Sequence, residues 1–439
     1  MTYRVGAVSL GCNKNRVDTE SALGTLRDHG YQITSRPEEA DILLVNTCGF
    51  ITSAKEESIN TILDLAEYKK TGSCRLLIVT GCLAQRYEQD LMKEIPEIDL
   101  LLGVNQYARL PELIEQALAG KRISSCQDDL TYFEQKRLLT TPFYSAYVRI
   151  GEGCSNRCSF CAIPLIRGSY RSRDESAILD EIRTLADAGV REHILVAQDT
   201  TRYGSDRHEK HALNRLMRKA AEIPGVNWLR VLYCYPDETD EELLDLLAEH
   251  PKICPYLDLP VQHISPDILR RMRRRGTRED ILRCVRGARE RNLTLRTSII
   301  VGFPGETEEQ FQELMDFVEE TAFDRLGAFM YSPEENTPAA DFPDQIPEEI
   351  KQERYDRLMT LQQSISLKRN QMRLHQRETV LITDVNPSDR TALGRSSREV
   401  PEEDGEILLH YQGQPPAVGT FVSAEITGAG PYDLIGECT

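Results

Sequence analysis

Short apolar runs alternate with longer amphipathic stretches over the first 125 residues. Three of these runs have the length of buried strands, and they lie at 5–10, 42–45 and 76–79. Each is followed by a stretch with helical periodicity, and these stretches lie at 17–29, 52–68 and 84–94. Strands that alternate with helices are typical of a parallel sheet. We therefore predict an open parallel α/β sheet domain over residues 1–125.

The same alternation resumes at residue 144, after a predicted connector at 121–142. Six apolar runs predict strands at 146–150, 194–197, 229–234, 256–259, 295–301 and 326–330. The helical stretches lie at 174–188, 210–222, 238–250, 278–291 and 306–320, with a last one from 348 to about 375. Six such units are fewer than the eight of a complete barrel. They predict a partial (β/α)6 barrel over residues 140–375, with a gap for a large substrate.

The pattern changes at about residue 376 to short β-rich segments separated by Gly and Pro. These segments lie at 379–385, 392–396, 406–410, 421–427 and 433–435. Several short strands in so small a region predict an antiparallel β-barrel over residues 376–439. The predicted fold class is therefore α/β, in three domains. A length of 439 residues agrees with this division.

Composition and the lengths of the apolar runs argue against a disordered, a membrane-spanning and an exported protein. With 40% hydrophobic and 28% charged residues, the chain has the composition of a globular protein rather than a disordered one. No apolar run approaches the ~20 residues that a membrane span needs. The first ten residues also lack the charged and apolar regions of a signal peptide. We expect a cytoplasmic protein without a membrane partner.

The charge is acidic and unevenly distributed. The formal net charge is −17, and the segment 376–439 holds four Arg, no Lys and eleven Asp or Glu, a net charge of −7. Such a segment is poorly suited to neutralising phosphate groups, so we expect it to prefer a basic partner. One run has the opposite charge and is typical either of RNA contact or of a solvated surface. It consists of Arg270, Arg271, Arg273, Arg274, Arg275 and Arg278.

Three of the twelve cysteines form a Cys-x-x-x-Cys-x-x-Cys run, namely Cys154, Cys158 and Cys161. Patterned cysteines in a reducing compartment are more often metal ligands than disulfides. A structural zinc site needs four ligands, and no fourth Cys or His follows at a conventional spacing. Three ligands on a four-iron cluster leave one iron open to a small molecule. We favour such a cluster over a zinc site or inert thiols.

A second set of three cysteines lies where the three N-terminal strands end. Its members are Cys12, Cys48 and Cys82. Because the loops at the carboxyl ends of neighbouring parallel strands converge on one crevice, we predict that these thiols meet. A single buried cysteine would need no such explanation, but three at equivalent positions do. The remaining cysteines share no such spacing and are predicted to be buried or free thiols: Cys74, Cys126, Cys234, Cys254, Cys284 and Cys438.

The Cys-x-x-x-Cys-x-Phe-Cys run resembles the radical S-adenosylmethionine (SAM) enzymes. The three-cysteine N-terminal domain and the small TRAM-like C-terminal barrel resemble their methylthiotransferase branch, and the resemblance covers the whole chain. Four further tracts support it, at 10–15, 45–51, 198–204 and 256–263. Asn13 departs from the family, which usually has proline there, and this affects the stiffness of the loop rather than the cysteine chemistry.

Within this branch, the sequence is similar to the enzymes that methylthiolate an aspartate of a ribosomal protein. The resemblance implies insertion of sulfur and a methyl group at the β-carbon of an aspartate in the twelfth small-subunit ribosomal protein. It also implies an external electron donor and a sulfur source. The alternative is methylthiolation of a tRNA adenosine, which predicts a basic final domain instead of an acidic one.

The resemblance also implies cofactors and their ligands. Two [4Fe-4S] clusters are expected, one on Cys154, Cys158 and Cys161 and the other on Cys12, Cys48 and Cys82. S-adenosyl-L-methionine is expected at the first cluster, with Phe160 near its adenine and Gln198 facing it from the end of a strand. The turn at 301–306 either contacts the cofactor or only begins a helix, and His263 is expected to be structural. No catalytic residue is assigned.

Overall fold

The N-terminal domain is a six-stranded parallel sheet covered by helices. The computed structural model describes residues 3–126, 134 and 136–439. In spatial order the strands are Gln32–Ile33, Arg4–Ser9, Ile42–Thr47, Leu76–Gly81, Leu100–Leu102 and Ile123–Ser125. The two central strands are buried along their whole length, as their apolar sequences require.

The helices of this domain are Asn13–Asp28, Thr52–Ala66, Tyr68–Thr71, Cys82–Arg86, Glu88–Glu94 and Leu110–Leu118. The predicted open parallel sheet is confirmed. Three of its strands escaped prediction because two or three residues are too few to show a period: Gln32–Ile33, Leu100–Leu102 and Ile123–Ser125. The last of them lies inside the predicted connector. The rest of that connector falls partly outside the described residues.

The central domain contains six parallel strands whose spatial order follows their order in the chain. They are Ser145–Arg149, Glu192–Val196, Trp228–Val231, Tyr256–Asp258, Thr294–Val301 and Arg325–Met330. A bridge between Leu229 and Ile253 joins the two three-stranded halves. Within the described chain the first and last of these strands do not pair, so the barrel is open. The predicted partial (β/α)6 barrel is thereby confirmed.

The helices of the central domain surround the strands. They are Ile163–Arg167, Glu175–Asp187, Ala212–Ala221, Glu241–Glu249, Pro266–Arg271, Arg278–Glu290, Glu308–Thr321 and Glu348–Gln371. Side-chain caps define several of their starts: Thr277 and Thr307 each form a capping box with the residue three positions later. A short hairpin, Gly151–Glu152 with Arg171–Ser172, follows the first strand. No helix in the described ranges is both long and apolar enough to cross a membrane.

The C-terminal domain is a closed five-stranded barrel. Around the barrel the strands are Arg377–Asn386, Thr391–Ser396, Ile407–His410, Leu434–Cys438 and Phe421–Ala429. All pairs are antiparallel except one, because Ile407–His410 runs parallel to Leu434–Cys438. Alternate apolar side chains such as Val380, Ile382 and Ile426 fill its interior. The predicted small barrel is confirmed, with this one parallel pair as a correction to its predicted antiparallel character.

Several acidic residues of this barrel face the other two domains. Glu402 pairs with Arg16 at 2.6 Å, and Glu403 pairs with Arg296 at 2.5 Å. Asp404 accepts a hydrogen bond from the hydroxyl of Tyr256 at 2.7 Å. Glu399, which is fully buried, pairs with Arg373 at 2.5 Å and Arg325 at 3.3 Å. Some of the acidic residues that we expected to bind a basic partner therefore hold the domains together.

Glu399 is expected to make stability depend on pH. Burial alone would raise its pKa, but Arg373 and Arg325 outweigh burial and hold the pKa at about 2, below the ordinary 4.5. The group therefore stabilises the fold above pH 4.5, and this contribution is lost as the pH falls toward 2. At neutral pH we expect Glu399→Gln to lower the free energy of unfolding by about 3–5 kcal/mol, because it leaves two buried arginines short of a charge.

Urea titrations from pH 7 to pH 3 measure this effect as the gap in unfolding midpoint between the wild type and Glu399→Gln. The gap is expected to narrow in the acid range. Glu437→Gln is the matched control, since Glu437 is exposed on a strand of the same barrel. A gap of constant size across this range would contradict the assignment.

Candidate active site

A cavity of about 890 Å³ lies at the open barrel and is shared by two domains. The barrel contributes Cys154, Cys158 and Cys161, and the N-terminal domain contributes Lys14 and the segment 50–53. Most of its wall is apolar, including Phe329 of the last strand and Tyr331 just beyond it. A largely apolar cavity with a few convergent polar groups is the usual form of a small-molecule site.

The cysteines of the first set project from one loop into this cavity. The N–H of Cys154 donates to the carbonyl of Gly168 at 3.0 Å, and the N–H of Cys161 donates to that of Cys158 at 3.1 Å. Gly153 permits the loop to turn, because its φ is +74° and a Cβ there would lie 2.3 Å from the carbonyl oxygen of Ser169. All three thiols are free. The predicted spacing thus brings three soft ligands to one cavity.

The electrostatic surroundings of this loop suit a metal centre. Burial raises the pKa of Cys154 to about 11 and also raises that of Cys161. Binding a metal at Cys154 and Cys161 therefore has to displace their protons. The guanidinium of Arg274 lies 3.7 Å from the sulfur of Cys158 and donates to the hydroxyl of Tyr235 at 2.8 Å. The donor chemistry fits an iron–sulfur cluster, with a positive charge beside one ligand.

Phe160 and Gln198, predicted from the resemblance, both line the cavity. The ring of Phe160 meets that of Phe303 edge to face, with centroids 6.5 Å apart. Gln198 lies just beyond the strand Glu192–Val196. Their contacts with a cofactor remain predictions.

Other predicted positions are structural. His263 is buried, and its Nδ1 accepts from the N–H of Ser265. Glu306 accepts from the N–H groups of Gly302 and Phe303 and from Arg354 at 2.9 Å. Among the described residues that line the cavity, neither His263 nor Glu306 is present. The turn at 301–306 leads into the helix Glu308–Thr321, and its contact with a cofactor stays a prediction.

The arginine run is largely used within the protein. Arg270 pairs with Asp267, Arg275 pairs with Asp237, and Arg278 pairs with Glu313. Arg274 points into the cavity instead. Among the described arginines of this run, only Arg273 is exposed and has no ion pair. Most of this run therefore does not form the broad basic surface for RNA that was one of its predicted roles.

The three cysteines of the second set follow adjacent strands of the N-terminal sheet. Asn15 links their three turns. Its Nδ2 donates to the carbonyls of Leu10 and Thr47 at 3.0 Å each, and its Oδ1 lies 3.6 Å from the sulfur of Cys82. A Cβ on Gly11 would lie 2.9 Å from the sulfur of Cys48. The turns that carry the three thiols thus converge, as the topology predicts.

A buried ionic network connects this second set to the barrel. Arg167 is 1% exposed and donates to Asn15 at 2.7 Å and to Asp18 at 2.8 Å. The same nitrogen lies 3.5 Å from the sulfur of Cys82, and burial raises the pKa of that thiol to about 12. Glu152 pairs with Arg167 at 3.0 Å and with Arg149 at 2.6 Å. Burial alone would raise the pKa of Glu152, but these two arginines hold it at about 2.

Sequence reasoning missed Arg167, Arg149 and Lys14. Lys14 is 5% exposed, and its Nζ lies 3.1 Å from the centroid of the Tyr233 ring. Burial lowers the pKa of Lys14, and the neighbouring negative groups oppose this shift. Charged residues are rarely buried, so no local pattern marks these three. The one available signal was that Lys14 lies within the 10–15 tract.

Three protein-family descriptions match successive parts of the chain. Residues 4–103 match the Uncharacterized protein family UPF0004, residues 148–318 match the Radical SAM superfamily, and residues 376–439 match the TRAM domain. Among solved structures, the radical S-adenosylmethionine methyltransferase TsrM from Kitasatospora setae is similar in fold. It has a TM-score of 0.57 at 18% identity, with 77% of each chain covered.

Curated relatives match over nearly the full length. Ribosomal protein uS12 methylthiotransferase RimO of Desulforamulus reducens is 49% identical, with 99% of both chains covered. RimO of Heliobacterium modesticaldum is also 49% identical, covering 100% of this chain and 95% of the relative. RimO of Geobacter sulfurreducens is 48% identical over 99% of this chain. With two converging cysteine sets, a radical SAM barrel and a TRAM barrel in one chain, the protein belongs to the RimO family of radical SAM methylthiotransferases.

Proposed function

We propose that this protein inserts sulfur and a methyl group at the β-carbon of an aspartate in ribosomal protein uS12. The observation that carries this proposal is that two three-cysteine sets lie on either side of one domain boundary. Arg167 of the barrel reaches the second set at Cys82, and the first set lines a cavity that both domains share. Relatives named for that activity are 49% identical over nearly the full chain, which supports the same substrate. A β-hydrogen of an aspartate is too weakly acidic for acid–base catalysis at neutral pH, so the reaction needs one-electron chemistry.

Membership of the radical SAM superfamily implies one [4Fe-4S] cluster and S-adenosylmethionine. We assign that cluster to Cys154, Cys158 and Cys161, where three ligands leave one iron open. When bound, cluster and S-adenosylmethionine together supply the radical chemistry that removes an unactivated hydrogen. The chain's own residues shape the site: Arg274 places a positive charge beside Cys158, and the surrounding wall is largely apolar. Phe160 and Gln198 are assigned to cofactor contact.

A second [4Fe-4S] cluster is assigned to Cys12, Cys48 and Cys82, and its role is to hold the sulfur that is transferred. Support comes from Asn15, which ties the three turns together, and from Arg167, which places a cation beside Cys82. An external electron donor and a sulfur source complete the reaction. The three domains divide this work: residues 1–125 hold the sulfur, 140–375 bind S-adenosylmethionine, and 376–439 recognise the substrate.

Gly11→Ala is expected to weaken the second set selectively. The substitution adds a Cβ 2.9 Å from the sulfur of Cys48, in a backbone of φ +82° that costs an alanine about 1–2 kcal/mol. Gly30→Ala is the matched control, because its φ is +86° but nothing lies within 4 Å of the new Cβ. After anaerobic reconstitution, Gly11→Ala should bind about half the iron of the wild type, and Gly30→Ala the full amount. Equal iron in both variants would contradict the assignment of Cys48.

The product assay tests the function. Reconstituted enzyme, S-adenosylmethionine and a reductant are incubated with free uS12, with small ribosomal subunits or with tRNA, and mass spectrometry then looks for the methylthio group. We expect modified uS12, and the subunit arm shows whether assembly matters. Enzyme with Cys154→Ala is the negative control. Methylthiolated tRNA together with unmodified uS12 would refute the proposal and favour the tRNA alternative.

A further inference from the structure

Lys14 is a buried cation that the reaction as described leaves unused. It is the second residue of the helix Asn13–Asp28, is 5% exposed and lines the cavity. Over the described residues, no carboxylate forms an ion pair with its Nζ. A charge buried in this way is costly unless an opposite charge or strong hydrogen bonds compensate it. The cavity therefore presents an ammonium group whose N–H donors have no carboxylate partner among the described residues.

The other charged residues that line the cavity are already occupied or exposed. Glu334 pairs with Lys55 and Arg86, and Glu348 pairs with Lys351. Arg274 is held by the hydroxyl of Tyr235 and the carbonyl of Pro260. Arg157 is exposed. Among the described lining residues, Lys14 is thus the buried cation available to a ligand.

Tyr233 forms a rigid support for the ammonium group. Its φ of +62° is uncommon for a residue other than glycine, and such strained residues cluster at functional sites. Its N–H donates to Asp258 at 2.9 Å, and Nδ2 of Asn13 donates to its hydroxyl at 3.1 Å. These two bonds fix the ring beneath Nζ of Lys14. The ring attracts the cation but offers no counter-charge, so N–H donors remain for a bound anion.

The nearest acidic groups are engaged elsewhere. Asp258 accepts from Tyr233 and pairs with Arg296 at 3.1 Å, and Glu403 pairs with the same arginine at 2.5 Å. Asp258, Glu403 and the Cys12 sulfur act on Lys14 only through space, so none of them occupies its N–H donors. A ligand carboxylate is the group that completes the site.

We propose that Lys14 binds the side-chain carboxylate of the target aspartate and so positions its β-carbon. This inference rests on the proposed function and adds a residue that specifies the substrate. The β-carbon is bonded directly to that carboxylate carbon, so fixing the carboxylate fixes the reacting carbon. Lys14 lies two residues from Cys12, which places the substrate beside the set assigned to sulfur transfer. A neutral adenine would leave the N–H donors of Lys14 without a charged acceptor, which accounts for selection of aspartate over a nucleobase.

S-adenosylmethionine also carries a carboxylate. The position of Lys14 favours the carboxylate of the substrate as its ligand over that of S-adenosylmethionine. Lys14 belongs to the N-terminal domain, whereas the cysteines assigned to S-adenosylmethionine belong to the barrel. The experiment must therefore measure the two ligands separately.

Peptide affinity provides the test. Fluorescence anisotropy measures binding of the full-length reconstituted protein to a labelled uS12 peptide with the target aspartate, and to the same peptide with asparagine. The wild type is expected to prefer aspartate by about tenfold or more, since a hydrogen bond between charged groups replaces a weaker one. Lys14→Met keeps the side-chain stem over Tyr233 and should abolish the preference. Lys14→Arg keeps the charge and should restore part of it.

Three further measurements separate the outcomes. Circular dichroism and iron content check that the variants fold and load normally, and the asparagine peptide tests the wild type without any change to the protein. S-adenosylmethionine affinity should be unchanged in Lys14→Met; a loss there, with the peptide preference intact, would overturn the proposal in favour of the cofactor carboxylate. If the wild type methylthiolates uS12 but substituting Lys14 has no effect, this inference alone would be overturned. Absence of wild-type methylthiolation would overturn the proposed function as well.

Discussion

Cys158→Ala is expected to stop formation of 5′-deoxyadenosine, whereas Cys48→Ala is expected to preserve part of it and to stop methylthiolation. The reason is the division of labour between the two sets. Cys158 lines the cavity beside Arg274, and Cys48 lies at the end of a strand in the other domain. Each substitution removes one of three ligands from a single site and leaves the other site complete.

Iron analysis and product analysis on the same samples measure this difference. The wild type should bind about eight irons and each variant about four, because each set holds one four-iron cluster. Cys438→Ala is the matched control, since Cys438 is a partly exposed thiol in the C-terminal barrel. If both variants lost 5′-deoxyadenosine to the same extent, the two sets would not act separately.

Arg167→Met is expected to be the most damaging single change outside the cysteines. It leaves Asp18 and Glu152 buried without one of their cations, which costs about 3–5 kcal/mol of unfolding free energy. It also removes the guanidinium that lies 3.5 Å from Cys82, so iron bound by the second set should fall. Arg167→Lys should recover only part of both, because an ammonium cannot reproduce the planar fork of donors.

Urea midpoints and iron content, measured under reducing conditions, check this prediction. Arg36→Met is the control: Arg36 forms an ion pair with Glu39 but its side chain is 67% exposed. A surface pair of this kind contributes little to stability. A midpoint shift for Arg167→Met no larger than that of Arg36→Met would show that the buried network does not stabilise the fold.

The periodic elements and the cysteine turns were predictable because their signals are local. Apolar runs at 42–45 and 76–79 mark strands that are buried on both faces, and the rules for parallel sheets then bring their ends together. The predicted helix over 84–94 is in fact two, Cys82–Arg86 and Glu88–Glu94, divided at Tyr87. An interruption of one residue between two helices leaves the apolar period nearly intact.

The ionic groups of the site were not predictable for the opposite reason. Arg167 and Asp18 are 149 positions apart, and only the docking of two domains makes them partners. Lys14 acquires its surroundings from Tyr233, which is 219 positions away in a different domain. The acidity of the last domain was visible in the sequence, but its use by Glu399 and Glu403 inside the protein was not.

The polar docking face of the helix Asn13–Asp28 has a consequence for the order of synthesis. The N-terminal sheet leaves the ribosome before the connector that supplies Arg137 and the barrel that supplies Arg149 and Arg167. Until then the helix presents charged groups such as Asp18 and Glu20, which water solvates well, while its apolar side packs on its own sheet. We therefore expect the nascent N-terminal domain not to aggregate before the barrel has been synthesised. The two cysteine sets should reach their final relative positions only when the barrel is complete.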